Sequence, residues 1–236
     1  DAVEQALTDQ IRLMDFEPYE VSTDVTAAPA IDVDKIAADI IGDPVNATVS
    51  KKDGKTIIAG KAGVSFDTDK AREIIGDGSQ ETYTIPVTIT QPSITAEMLK
   101  AKLFHDTLAR TATNLDEGNA PRTNNIRLAA KAINGTILNP GDEFSYNGTV
   151  GERTAARGYQ EAHAYSGGKI IDEFGGGVCQ PSSTLYMAVL RADLKVTERH
   201  NHSFTVSYTP LGEDATVDYG NLDFRFVNNT AYPVKI

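Results

Sequence analysis

The sequence predicts an α+β fold: a small N-terminal α+β module over residues 1–95, then an α+β domain over 96–236 with a helix packed on a mainly antiparallel sheet. Three observations carry that prediction. The β-rich stretches Ala47–Ser50 and Thr56–Ala59 flank Asp53-Gly54, a dipeptide that favours a hairpin turn. Leu185, Ala188, Val189 and Ala192 repeat at the i, i+3, i+4, i+7 spacing of an amphipathic helix. Near Gln91-Pro92-Ser93 the text changes from Asp-capped repeats to longer, motif-dense segments, which marks a domain boundary.

A chain of 236 residues can bury a sizeable core and accommodates two domains. Its 22 Lys and Arg stand against 33 Asp and Glu, a formal net charge of −11. Without a basic cluster to neutralise phosphates, neither nucleic acid nor an anionic membrane surface is an expected partner. The single cysteine excludes an internal disulfide, and no apolar run is long enough to span a bilayer, so no membrane insertion is expected. Beginning at Asp1 with no basic-then-apolar leader, the chain reads as a mature or trimmed piece.

Val3, Ala6, Leu7, Ile11 and Met14 predict a first short helix, ended at Pro18. An internal echo follows, Asp32-Val33-Asp34-Lys35 to Ile40-Ile41-Gly42-Asp43 and then Asp67-Thr68-Asp69-Lys70 to Ile74-Ile75-Gly76-Asp77. Each copy reads as a short helix capped by Asp and closed by Gly. Tyr83 to Thr90 reads as a strand interrupted or kept at an edge by Pro86. Thr95 caps the next helix; Arg127 to Ile133 forms another, closed by Asn134-Gly135. Leu138 to Tyr146 is a turn leading into a strand. Glu198 to Tyr208 has strand character, with His200, His202, Phe204, Val206 and Tyr208 on one face.

The chemistry centres on Phe174-Gly175-Gly176-Gly177-Val178-Cys179-Gln180-Pro181-Ser182-Ser183. Cys179 falls at a helix start, which Ser182 or Ser183 can cap, and the positive end of a helix dipole favours thiolate. Nucleophilic catalysis then needs an imidazole, an orienter for it and oxyanion donors. His202 or His200 supplies the imidazole, with Asp214, Asn201 or Asp223 as orienter and Asp214 preferred because it lies in a loop. Gln180 and the N–H groups of the glycine loop are the candidate donors, and the substrate-contacting set is Gly175, Gly176, Gly177, Gln180, Ser183, Arg199 and Tyr208. Competing readings are a zinc site built from Cys179, His200 and His202 with His163 or an acid as a further ligand, and a non-catalytic binder with Tyr146, Tyr159, Tyr165 and Tyr208 along a groove. The blandest is a cysteine that is a small buried hydrophobe. The preferred reading requires no metal and no cofactor.

Across Arg122-Thr123-Asn124-Asn125-Ile126, Gly158-Tyr159, Gly175-Gly176-Gly177-Val178-Cys179-Gln180, Ser183-Thr184-Leu185-Tyr186, Glu198-Arg199-His200 with His202-Ser203, and Asp214-Ala215-Thr216-Val217, the last 115 or so residues resemble the VanW domain proteins. Pro181 departs from the valine-like residue expected there, though proline is tolerated in a helix's first turn. Val21 to Pro92 is similar to the peptidoglycan-binding module that precedes VanW domains and some L,D-transpeptidases. The resemblance implies a bacterial, mostly Gram-positive, extracytoplasmic envelope protein, associated by name with vancomycin-resistance clusters. Its implied partner is peptidoglycan or its stem peptides; it implies no reaction of its own, and the expectation of a cysteine-dependent hydrolase or transpeptidase rests on the Cys179 site, with a non-catalytic peptidoglycan-binding accessory protein as the alternative.

Overall fold

The computed structural model describes residues 30–166 and 169–236, together with positions 4, 5, 8, 9 and 12. The apolar positions of the first predicted helix, Val3, Ala6, Leu7, Ile11 and Met14, lie outside the described residues, as do the side chains of 165–170. The chain divides into two compact units, residues 1–41 with 65–88, and residues 42–64 with 89–236.

In the first unit the sequence echo becomes two helices that pack together, α1 (Val33–Ile40) and α2 (Thr68–Ile75). Asp32 caps α1 by accepting from the Lys35 N–H; Asp67 caps α2 by accepting from the Asp69 and Lys70 N–H groups. Arg72 joins the pair, donating to Asp69 on its own helix and to Asp34 on the other. Gly76 closes α2 at φ 56°, as its lack of Cβ permits. The first copy closes differently: α1 ends on Ile41 in an extended conformation, because Gly42 enters a bridge with Val64.

The second unit begins with the predicted hairpin. β1 (Thr48–Val49) and β2 (Ile57–Ile58) pair antiparallel, Thr48 opposite Ile58 and Val49 opposite Ile57. Two short strands, β3 (Gly63–Ser65) and β4 (Thr88–Thr90), come next; the second is shorter than expected and leaves Pro86 outside. Helix α3 (Ala96–Lys102) starts at its Thr95 cap, and Leu99 buries with Ala47, Val49, Ile94 and Ile137 in a small core. Asn139 ties the hairpin to the later part of the unit, its amide donating to the Val49 carbonyl and its oxygen accepting from the Val49 N–H.

Helix α4 (Ala120–Ile133) is twice as long as its apolar period suggested. It starts at the Asn119 cap with Pro121 in the first turn, where the missing N–H costs nothing. Next come β5 (Ile137–Leu138), β6 (Glu143–Ser145), α5 (Tyr146–Val150) and a hairpin of β7 (Glu161–Ser166) with β8 (Lys169–Phe174). After α6 (Cys179–Arg191) the strands β9 (Lys195–Glu198), β10 (Arg225–Val227) and β11 (Val234–Lys235) complete the unit. β10 lies between β6 and β9, antiparallel to both, and β11 pairs antiparallel with β5.

The main core lies between α6 and this sheet. Phe144 and Phe226 sit opposite each other with ring centroids 5.0 Å apart, and Tyr186 of α6 meets Phe224 edge-on at 5.5 Å. Tyr146, Phe144, Phe224 and Phe226 are at most 1% exposed. Each contributes roughly 1.5–3 kcal/mol by burial, which fixes α6 on the sheet. One expectation fails: the strand carrying the histidines ends at Glu198, His200 forms only an isolated bridge to Thr216, and 201–209 is irregular. His200 and His202 therefore do not share a strand face.

Candidate active site

Cys179 is the first residue of α6. The helix begins earlier than a serine cap would place it, since Val178 occupies the cap position without a side-chain bond and Ser182 and Ser183 lie within the helix. The chain reaches Cys179 from β8 through a tight turn in which Val178 N–H bonds Gly175 O and Gln180 N–H bonds Gly177 O. The Cys179 N–H, in the first helical turn, has no partner within the helix, and the positive end of the helix faces the thiol.

The segment 214–217 runs alongside. Val217 N–H donates to Cys179 Sγ at 3.5 Å, and the Thr216 hydroxyl lies 3.6 Å from the same sulfur. Thr216 N–H bonds His200 O at 2.8 Å, which ties this segment to the histidine loop. Two residues before Thr216, Asp214 accepts from His202 Nδ1 at 2.6 Å and from the His202 N–H at 2.7 Å. With Nδ1 held by a carboxylate, the ring lines the same cleft as the thiol, near enough that each group shifts the titration of the other. The Tyr208 hydroxyl is 3.4 Å from Nε2, and the two rings meet edge-on.

The protonation states are set by these contacts. Burial pushes the Cys179 thiol up, but the hydrogen bond from His202, the Val217 backbone, the Thr216 hydroxyl and the imidazole charge together hold it below its ordinary value. Burial lowers the His202 imidazole, and its bonds to Cys179 and Asp214 more than reverse this and raise it. Asp214 is depressed: burial opposes ionisation, while the His202 N–H, the His202 ring and Arg199 outweigh it. Thiolate, imidazolium and carboxylate thus favour one another. The side chains of His202 and Asp214 are only 7% and 12% exposed, which strengthens the coupling.

Cys179 and His202 open onto a cleft of about 270 Å³ walled by the glycine turn, Arg122, His163, Glu173, Tyr208, Thr216 and Asp218. A thiol at a helix start held below its ordinary pKa, a carboxylate-oriented imidazole and a backbone N–H of the first helical turn are parts that acyl transfer uses.

A family described as VanW like protein matches residues 121–236, which contain every one of these groups. The chain carries a VanW domain. Among its relatives, the Uncharacterized protein YoaR of Bacillus subtilis (strain 168) is 35% identical over 199 residues, covering 82% of this chain and 64% of that protein. The Vancomycin B-type resistance protein VanW of Enterococcus faecalis (strain ATCC 700802 / V583) is 32% identical over 111 residues, 45% of this chain and 40% of that protein. The chain therefore spans less than two thirds of either relative's length. No solved structure matches it.

Within the VanW domain, the other residues singled out by the sequence take different places. His200 turns away from the sulfur and bonds Glu198 Oε1 at 3.0 Å. His163 lines the cleft but pairs with Asp172 across the β7–β8 hairpin. Among the described residues no three His, Cys, Asp or Glu side chains are grouped to hold a metal, so the zinc reading lacks its ligand set. Arg199 grips the orienter, Nη2 on Asp214 Oδ1 at 2.9 Å and Nε on the Asp214 carbonyl at 2.7 Å, while stacking over Tyr186.

Gln180 is buried with its amide fully engaged: Nε2 donates to Thr113 Oγ1 and Asn114 O, and Oε1 accepts from Arg122. It holds the 113–114 segment and Arg122 to α6 rather than presenting a donor to the cleft. Ser183 is fully buried, donating to Cys179 O and accepting from Ala215 N–H, so it fixes the 214–217 segment to α6. At Gly176 a Cβ would come within 2.2 Å of the Ala162 carbonyl oxygen, so glycine here serves a close backbone approach. Of the tyrosines expected along a groove, Tyr146 and Tyr159 are core residues and Tyr208 lines the cleft. Asn201 bonds the His202 carbonyl, and Asp223 is bound into the sheet.

Thr216, Val217, Glu173 and Asp218 also line the cleft and are not among the site residues that the sequence singles out. Their contributions arise from backbone position or from hairpin and turn placement, which have no local sequence signature. Burial and the neighbouring Asp218 charge raise the Glu173 carboxyl.

Proposed function

We propose that this chain is a cysteine-dependent hydrolase or transpeptidase of the bacterial envelope that acts on amide bonds in peptidoglycan stem peptides. The observation that carries the reading is the Cys179–His202–Asp214 relay at the mouth of a cleft, with thiol lowered and imidazole raised. Cys179 Sγ attacks the scissile carbonyl, and its own N–H stabilises the oxyanion. His202 donates a proton to the departing amine, leaving an acyl-thioester. The neutral imidazole then takes a proton from water, for hydrolysis, or from an acceptor amine, for transpeptidation, and the thiolate is regenerated.

The envelope context rests on the VanW domain and on the name of the Enterococcus relative, which links that protein to vancomycin resistance. Among the described residues no helix is long and apolar enough to cross a membrane, which fits a segment working at the wall. Residues 1–95, by their resemblance, are assigned to peptidoglycan binding and 96–236 to the chemistry.

The test is digestion of purified peptidoglycan followed by mass spectrometry of the released and cross-linked stem peptides. The wild-type protein is expected to create new amino termini or altered cross-links, and Cys179→Ser is expected to create none. Equal product patterns with both proteins would leave a non-catalytic wall binder as the function.

A further inference from the structure

Arg153 is a buried cation without a hydrogen-bond partner. It is 9% exposed, and its Nε, Nη1 and Nη2 atoms have no acceptor. Its guanidinium lies near two aromatic rings, with Cζ 5.7 Å from the Tyr146 centroid and 5.8 Å from that of Tyr219. A cation–π contact supplies no lone-pair acceptor, so the five N–H groups of the guanidinium are left without one. Leaving a charge buried and unpaired is among the costliest arrangements in a protein core, and a planar bidentate acceptor is what the vacant edge fits.

The residue's surroundings connect it to the cleft. Its Cβ and Cγ pass beneath Gly175, where an added Cβ would fall 2.6 and 2.7 Å from them, and Gly175 lines the cleft. Tyr146 donates to the carbonyl of Val178, the residue before Cys179. Tyr219 is half exposed at the tip of a turn whose flanking residues Asp218 and Leu222 also line the cleft. Asn147 holds the base of that turn through the Asp218 and Leu222 carbonyls, and the Tyr219 ring lies beyond those two bonds.

The geometry points to Arg153 as the anchor for a carboxylate of the bound peptide, with the Tyr219 side chain as the cover that must swing out to admit it. The assignment rests on the cleft being the substrate site and narrows the substrate class to peptides bearing a free carboxylate within reach of the scissile amide. Access requires motion of one exposed ring, whereas the guanidinium is already held in place by its stem.

The test uses three probes by calorimetry and by NMR of the arginine Nε–H signals: N-acetyl-alanyl-alanine, its C-terminal amide, and N-acetyl-glutamic acid α-amide. At least one acid should bind about tenfold or more tighter than the amide and shift the signal that Arg153→Lys removes. Which acid binds distinguishes a terminal from a side-chain carboxylate. Arg153→Met should lose this preference and melt no lower than wild type, since it removes an unpaired buried charge. Equal binding of acids and amide, or binding of none, overturns the anchor. So does an Arg153→Met protein that melts several degrees lower with no acid preference in the wild type. Iodoacetamide labelling of Cys179 in the same samples separates the two readings. A thiol titrating well below the ordinary range with no acid preference removes the anchor alone, and an ordinary thiol removes the nucleophile while the acid preference still decides the anchor.

Discussion

The loop around Asp214 and the turn around Asp223 bury the same functional group to the same extent, 8% exposed in each case, and use it differently. Asp223 receives Ser145 Oγ, the Asn147 and Phe224 N–H groups and Arg225 Nε. None of those donors changes charge near neutral pH, so this carboxylate fastens α5 to β10 under all ordinary conditions. Asp214 receives Arg199, the His202 N–H and the His202 ring. One of its partners titrates, and that partner lines the same cleft as the Cys179 thiol and shifts its titration. A buried carboxylate is a structural clamp or part of a proton relay according to whether a titratable group is among its donors.

The largest expected effect falls on the clamp. Asp223→Ala strips the acceptor from four donors, and urea unfolding should show a loss of about 3 kcal/mol. At temperatures where the variant is folded, the pH inflection of Cys179 alkylation should stay where the wild type has it. A shifted inflection would break the distinction between the two carboxylates.

Asp214→Asn should cost less, roughly 1–3 kcal/mol, and the cost should depend on pH. Asp214 is depressed from 3.8, so its contribution is present above that value and is lost as pH falls through the depressed one. His202 is raised from 6.5, so stability from its contacts is complete below 6.5 and is lost as pH rises through the raised value. The difference between wild type and variant should therefore be greatest between about pH 4 and 6.5 and decline on either side. A difference that is flat from pH 3 to 9 would mean that Asp214 is a clamp like Asp223.

Much of this contrast is legible in the sequence. Cys179 at a helix start and the preference for Asp214 over Asp223 come from the helical period and from loop placement against alternation along expected strands, and the structure has Asp214 bonded to His202 and Cys179 on the same cleft as His202. The choice between His200 and His202 is not legible, because it depends on where β9 stops. Chain beyond Glu198 is rich in β-forming residues, but the bridge of His200 to Thr216 and the capture of His202 by Asp214 are long-range and override that local preference. Gln180 and Ser183 are misplaced for a related reason. Polar residues beside a nucleophile look like substrate contacts until the partners that bury them, Thr113, Asn114 and Ala215, are seen across the fold. In α1 and α2, by contrast, the Asp caps are readable directly, since a cap is satisfied within three residues.

The smallest effect belongs to the exposed ion pairs of those helices. Arg72→Ala removes contacts to Asp34 and Asp69 that water screens, so the urea midpoint should not move measurably and added salt should not alter the comparison. A clear loss of stability would place these surface carboxylates nearer to Asp223 than their exposure suggests.

The central claim, that Cys179 is ionised by its contact with His202, is tested most directly by the rate of iodoacetamide alkylation from pH 4 to 10. The wild-type curve should inflect well below the ordinary thiol value of about 8.5 and the His202→Ala curve should move up toward it, so that labelling at pH 6 slows about tenfold or more. A wild-type protein whose labelling follows an ordinary thiol, or that labels only after unfolding, would contradict the account and leave Cys179 a packing residue of the VanW core.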